Sequence, residues 1–194
     1  MKIKALTYRA IPCLMMLVLI VGAAFAEGGT DIARKEIEIS FTYQHASTMA
    51  SNQMAVWVED ADGAMVKTLL VTDFTAGRRG YRNREMSLPA WVAAADPESM
   101  TDQEIDVVSS ATPGQGRLTY LWDFTDDLRH PVTEGVYTIH VEGTFFWESD
   151  AVYTAVIDTA NLVDEIAVEM ERTAPKTHDN ENMITDVSIS VISQ

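Results

Sequence analysis

Cysteine is nearly absent. The 194 residues contain one, Cys13, inside an apolar run near the N-terminus. The rest of the chain therefore has no disulfides, no thiol nucleophile and no thiolate metal ligand. Positive charge is also scarce: 14 Lys and Arg against 29 Asp and Glu give a net charge of −15 at pH 7. So acidic a body argues against nucleic acid or an anionic membrane surface as a partner. The four histidines, His45, His130, His140 and His178, are scattered, with no pair at metal spacing. Asp60 with Asp62, and Asp123 with Asp126 and Asp127, lack the ligand spacing of a calcium loop, so no metal is expected. There is no Gly-x-Ser-x-Gly, and no carboxylate pair that sequence alone can defend as catalytic. The expectation is a protein that is not an enzyme.

Long hydrophobic runs are missing too, except at the start. Lys2, Lys4 and Arg9 precede the apolar stretch Ile11 to Ala23, and Ala24-Phe25-Ala26 follows as a small-x-small cleavage site. This is the three-part pattern of a secretory signal peptide over residues 1–26. A membrane anchor is the alternative, but the run is short of the roughly 20 apolar residues a span requires. Removing it takes three basic and no acidic residues, moving the net charge from −15 to −18. Residues 27–194 are expected to form a single domain, exported to the periplasm, with no membrane insertion after cleavage.

What is abundant is period-two alternation. Ile37, Ile39, Phe41 and Tyr43 alternate with Glu38, Ser40 and Thr42. Met54, Val56 and Val58 oppose Trp57 and Glu59, and Tyr137, Ile139 and Val141 oppose Thr138, His140 and Glu142. "EIAVEMER" (165–172) and "DVSISVIS" (186–193) continue the pattern. Strands with one wet face are antiparallel strands. Asp62-Gly63 marks a hairpin between "MAVWVED" and "AMVKTLLV", and Asp179 to Asn182 a turn between the last two strands. "SLPAWVAAADPES" differs: Pro89 stands near a first helical position and four alanines precede Pro97, which predicts a short helix from Pro89 to Ala95 that covers one end of the sheet structure with Trp91 turned inward. The fold class is all-β, an antiparallel β-sandwich of seven to nine strands with a short helix in a loop insertion at 73–116.

Four phrases, "NQMAVWVEDADGAMVKTLLVT", "SLPAW", "DVVSSATPGQG" and "YLWDFTDDLRHPVTEGVYTIHVEG", together resemble the bacterial exported proteins grouped as domain of unknown function 2271, over about 52–157. The resemblance implies a fold and a periplasmic compartment without an established activity. The last phrase is also similar to immunoglobulin-like modules of bacterial surface and flagellar-hook proteins, which implies an immunoglobulin-like sandwich.

Asp106-Val107-Val108-Ser109-Ser110-Ala111-Thr112 resembles the flavin-attachment motif of exported FMN-binding domains. There the final hydroxyl receives FMN through a phosphoester bond made by a separate flavin transferase. Asp106, Ser109, Ala111 and Thr112 match, so the resemblance implies covalent FMN on Thr112. Ser110 stands where the motif has glycine, a departure that matters if the backbone there needs a positive φ. Small neighbours suit an acceptor that must enter another enzyme's site, and Pro113 with Gly114 keeps the segment out of a continuing element. The plainer alternative is a Ser/Thr-rich connecting loop.

Arg78, Arg79, Arg82 and Arg84 are four of the eleven basic residues beyond position 26, within seven positions. Arginine forks suit phosphates and carboxylates. The cluster is either a docking patch for a phosphate-bearing cofactor or acidic partner, or a loop paired with its own acidic body. Trp57, Trp91, Trp122 and Trp147 could stack a ring ligand, but core packing is the commoner use. Two functions stay open: an accessory carrying FMN, partnered by a flavin transferase and extracytoplasmic redox proteins, or an immunoglobulin-like binding or scaffolding module without a cofactor.

Overall fold

Strand β1 (Lys35–Tyr43) takes up its written alternation directly: Ile37, Ile39, Phe41 and Tyr43 are fully buried. The computed structural model describes residues 35–45, 52–146, 149–173 and 183–193. The segments expected to be a signal peptide (1–26) and a turn (179–182), and Trp147, lie outside the described residues. Along the chain follow β2 (Gln53–Asp60), β3 (Met65–Thr72), α1 (Pro89–Ala95), α2 (Asp102–Val108), β4 (Ser109–Ser110), β5 (Gly116–Trp122), β6 (Val136–Phe146), β7 (Ser149–Asp158), β8 (Glu165–Ile166), β9 (Glu169–Thr173) and β10 (Ile184–Ser193). They form a four-stranded sheet, β5-β1-β10-β8, and a six-stranded sheet, β4-β3-β2-β6-β7-β9. All pairings are antiparallel except β3 with β4.

The fold is thus a sandwich-like all-β structure, and its main core lies between the two sheets. Ile37, Ile39 and Phe41 meet Met54, Val56 and Val58 of β2, Ile139 and Val141 of β6, and Ile189 of β10. Trp122 closes one end against Phe124 and Tyr137 at ring separations of 4.9 and 5.2 Å. The predicted hairpin joins β2 to β3: Asp60 Oδ1 accepts from the backbone of Asp62 and Ala64, and Gly63 supplies the positive φ of 77°.

Two sequence expectations need correction. The "EIAVEMER" segment is not one strand. It splits into β8 on the four-stranded sheet and β9 on the six-stranded sheet, because the chain crosses between sheets at Ala167-Val168. Periodicity reports facing, not which sheet a residue joins. The expected wet face is also absent from β2, and from β6 at Glu142, which is fully buried. Ala55 and Trp57, which point away from the main core, are buried by a second cluster made of Val71, Ala76, Leu88, Trp91, Ala95 and Ile105. The insertion therefore lies across a face of the six-stranded sheet rather than over its end, and the central strands are covered on both sides.

A polar seam fastens the insertion. Gln53 Oε1 accepts from the hydroxyls of Thr72 and Thr75, and Thr75 bonds Ser87 at 2.6 Å. Thr144 Oγ1 accepts from Leu88 N (3.0 Å) and donates to Met86 O (2.9 Å). Glu142, with no exposed surface, receives Ala90 N at 2.9 Å and Trp91 N at 2.8 Å, two of the donors that the start of α1 leaves unpaired. Beside it, buried Asp150 shares a hydrogen bond with Glu142. Burial pushes Glu142 well above the usual carboxylate range and Asp150 up to about 6. Burial of both groups and their mutual repulsion favour the protonated form of Glu142.

A raised carboxylate pKa contributes stability that is complete below the unfolded value and is lost as pH rises through the folded one. The window here runs from about pH 4 to pH 6 and above. Two pKa units correspond to about 3 kcal/mol, or roughly 5–10 °C in Tm for a chain of this size. Asp150→Asn supplies a permanent N–H donor in place of the shared proton. Thermal melts from pH 4.5 to 8 should show this variant gaining on the parent by several degrees as pH rises. A difference curve flat in pH would mean that the two carboxyls do not share a proton.

Candidate functional site

The segment 106–112 is not one loop. Its first three residues end α2, a helix the sequence reading did not anticipate. Thr101 accepts from Glu104 N at 3.3 Å while Glu104 Oε2 accepts from Thr101 N at 2.8 Å, a reciprocal capping box. The Thr-Asp-Gln-Glu spelling at 101–104 carried that signal. Ile105 turns into the second core and anchors the helix; Asp106 and Val107 face solvent.

The backbone then extends. Ser109 pairs with Val71 and Ser110 with Thr72 in parallel register, and Asp73 N donates to Ser110 O at 2.7 Å. Pairing stops there. Ala111 and Thr112 are exposed and belong to no strand. Ser110 is absent from the positive-φ positions, so its extended backbone accepts a Cβ without strain and glycine is not required.

Opposite this segment, residues 72–79 fold into a tight turn. Thr75 N and Ala76 N donate to Thr72 O, and Arg78 N donates to Asp73 O at 2.8 Å. Between turn and segment lies an open cavity of about 390 Å³, lined by Asp73, Phe74, Arg78, Ser109, Ser110, Ala111 and Thr112. The structure thus gathers Ser109, Ser110, Ala111 and Thr112 around one cavity and leaves Asp106 outside its lining. Asp73 and Phe74 were not singled out from the sequence. Nothing in their spelling marks them, because they reach the cavity through β3–β4 pairing.

The four arginines go different ways. Arg78 lines the cavity and donates through Nε to Asp73 Oδ2 at 2.8 Å. Arg79 holds the carbonyls of Pro97 and Met100 and the carboxylate of Asp102. Arg82 clasps Glu98 with Nε and a terminal nitrogen, at 3.0 and 2.7 Å, and Tyr81 donates to the same carboxylate. Those hydrogen bonds raise the pKa of Arg79 and Arg82 and lower that of Glu98. Arg84 is buried, and desolvation lowers its pKa. The cluster therefore stitches the insertion together more than it faces outward, with Arg78 as the cavity's cation. On another flank of α2, Met100, Val107, Val108 and Leu128 help to line an apolar groove of about 350 Å³. Among the described residues no three His, Cys, Asp or Glu side chains converge to hold a metal ion, and no helix is long and apolar enough to cross a membrane.

A family model described as "Predicted periplasmic protein (DUF2271)" matches residues 20–173. No curated protein and no solved structure matches the chain.

The capping box sets the position at which α2 hands over to the extended segment. Thr101→Ala should cost about 1 kcal/mol of stability and loosen the helix ahead of Ser109. Hydrogen exchange should report faster exchange at 104–106, with the β1 and β10 amides unchanged. Equal protection in both proteins would show that Ile105 alone holds the helix.

Proposed function

The chain belongs to this family of predicted periplasmic proteins, and on that premise we propose that it is a non-enzymatic accessory of extracytoplasmic flavin-linked electron transfer, carrying FMN on Thr112. One observation carries the reading: Thr112 stands exposed on the rim of a cavity whose opposite wall holds an arginine. The acceptor lies two residues past a fixed ladder, so it is presented to a second enzyme without being packed away. Its neighbours Ser109, Ser110 and Ala111 are small, and Pro113 and Gly114 continue no strand. Arg78 supplies the cation that a phosphate ester at Thr112 needs.

In the attachment step, the Thr112 Oγ–P bond forms as the diphosphate P–O bond of a flavin dinucleotide breaks. The hydroxyl proton passes to the transferase and a nucleoside monophosphate leaves. The attached flavin supplies the redox chemistry, and the chain supplies position and electrostatics. The partners on this reading are a flavin transferase and extracytoplasmic redox proteins.

A second reading, an immunoglobulin-like binding or scaffolding module without a cofactor, draws on β5. This seven-residue strand ends its sheet and, among the described residues, has an edge free for an added strand.

Co-expression with a periplasmic flavin transferase separates the two. The parent should run as a fluorescent band on a denaturing gel, heavier by one FMN less water, and Thr112→Ala should run dark at unmodified mass. A dark parent of unmodified mass removes the carrier reading and leaves the module.

A further inference from the structure

We propose that the cavity between the 72–79 turn and the 109–112 segment is a phosphodiester seat, in which Arg78 and Asp73 together orient a monoanionic diester and disfavour a dianionic phosphomonoester. The identity of its natural occupant, the diester formed on Thr112, rests on the function proposed above. The anion preference rests on the cavity itself.

The charges decide the class of ligand. Arg78 brings one positive charge and Asp73 one negative charge, at 2.8 Å, in the same wall. The other lining groups are neutral: Phe74, Ala111 and the hydroxyls of Ser109, Ser110 and Thr112. A diester has one negative charge, which the arginine can meet. A phosphomonoester carries about −1.5 to −2 at pH 7, and its second charge would face the Asp73 carboxylate. The pair is a filter as well as a clamp.

The geometry fixes which arginine atoms are offered. Asp73 takes Nε, and this is the one Arg78 ion pair among the described residues. The two terminal nitrogens, set in a planar fork, are left for an oxyanion. Asp73 itself is held from both sides. Its N–H is bonded to Ser110 O, and its carboxylate packs so close to Gly77 that a Cβ at that position would collide with it. A carboxylate so placed sets the azimuth of the guanidinium, which makes Asp73 a positioning residue. Since the Arg78 side chain is 75% exposed, its ion pair is weak and the fork can adjust to a ligand. Arg79 and Arg82 are bound to Asp102 and Glu98, so Arg78 acts here without a second arginine of the cluster in the lining.

The test uses the unmodified chain, residues 27–194, made without a flavin transferase and labelled with ¹⁵N. Dimethyl phosphate and inorganic phosphate are titrated separately at pH 8 and low salt, while the non-exchanging Arg78 Cδ–H and the Cα–H groups of 109–112 are followed by carbon-13 NMR of a chain also labelled with ¹³C. Dimethyl phosphate should move these resonances and bind several-fold more tightly than inorganic phosphate. Asp73→Asn should remove or reverse that order by strengthening inorganic phosphate. Arg78→Gln should abolish both responses while leaving the remaining spectrum in place. The proposal is overturned if neither ligand moves the Arg78 resonance, if the parent prefers inorganic phosphate, or if Arg78→Gln binds as the parent does. These arms need no flavin. A failure of Thr112 to take FMN therefore leaves their outcome standing, and a flavinylated protein with an inert Arg78 sinks this proposal alone.

Discussion

A carboxyl group with no exposed surface, Glu142, receives the first backbone N–H groups of a seven-residue helix. The site depends on that contact. A helix this short has little stability of its own, and its N-terminal donors would be buried without partners if Glu142 were removed. With them satisfied, Leu88 and Trp91 can lie on Ala55 and Trp57, and the six-stranded sheet gains a dry second face. The chain then accepts left-handed backbone at Arg79, Leu88 and Asp96, with φ of 51°, 57° and 44°. Non-glycine residues hold such angles at a cost of order 1–3 kcal/mol each, and only where their surroundings over-determine them. From Asp96 the route to α2 is short, and Arg82 and Arg79 hold it at Glu98 and Asp102. The position of Ser109 to Thr112 is the last link in that series.

Much of the sandwich could be read from the chain because one face of most strands is wet and the other dry. β1 and β10 followed that rule, as did the Asp62-Gly63 hairpin and the helix at Pro89–Ala95, whereas β6 kept its dry face at Tyr137, Ile139 and Val141 but buried Glu142 on the other. The failures share a cause. Alternation says which residues face alike; it carries no information about what covers each face. β2 was read with a wet face because Trp57 and Glu59 look amphipathic, and its outer side turned out to hold a second core. The β8–β9 sheet switch leaves no mark in a period-two pattern. α2 is another kind of miss, since its capping box was spelled out but masked by the run of Ser and Thr that follows it. At the site, the sequence exposed the hydroxyl segment and the arginine cluster. It could not say that Arg78 joins that segment while Arg79 and Arg82 turn to carboxylates, because that division is made by tertiary contacts.

The arginine cluster illustrates how a strongly acidic protein uses its few cations. Exposed pairs contribute little singly, yet the contacts of Arg79 and Arg82 span 16 to 23 residues of sequence and tie the turn after β3 to the ends of both helices. They restrain a region with no regular ladder of its own. Spending two arginines on structure leaves the cavity with a single cation, and that cation is paired. A strong anion trap would require several unpaired ones. What the fold provides is a nearly neutral recess with directional donors, in which a monoanion meets one cation and a second negative charge would meet a carboxylate.

β4 explains why so small an element is kept. Two residues in parallel register contribute little to the sheet, and parallel pairing is the weaker kind. Its value lies in position. It closes one end of the β3 edge that would otherwise offer unpaired groups to another chain. It also fixes the phase of the segment: Ser109 and Ser110 are held by the ladder, so Thr112 lies two residues, at most about 7 Å of extended chain, from a fixed point. A glycine at 110 would widen the conformations open to that point, whereas a serine in extended backbone narrows them. The Cβ of Ser110 is thus no obstacle to the exposed placement of Thr112, since pairing with β3 fixes the extended backbone before it.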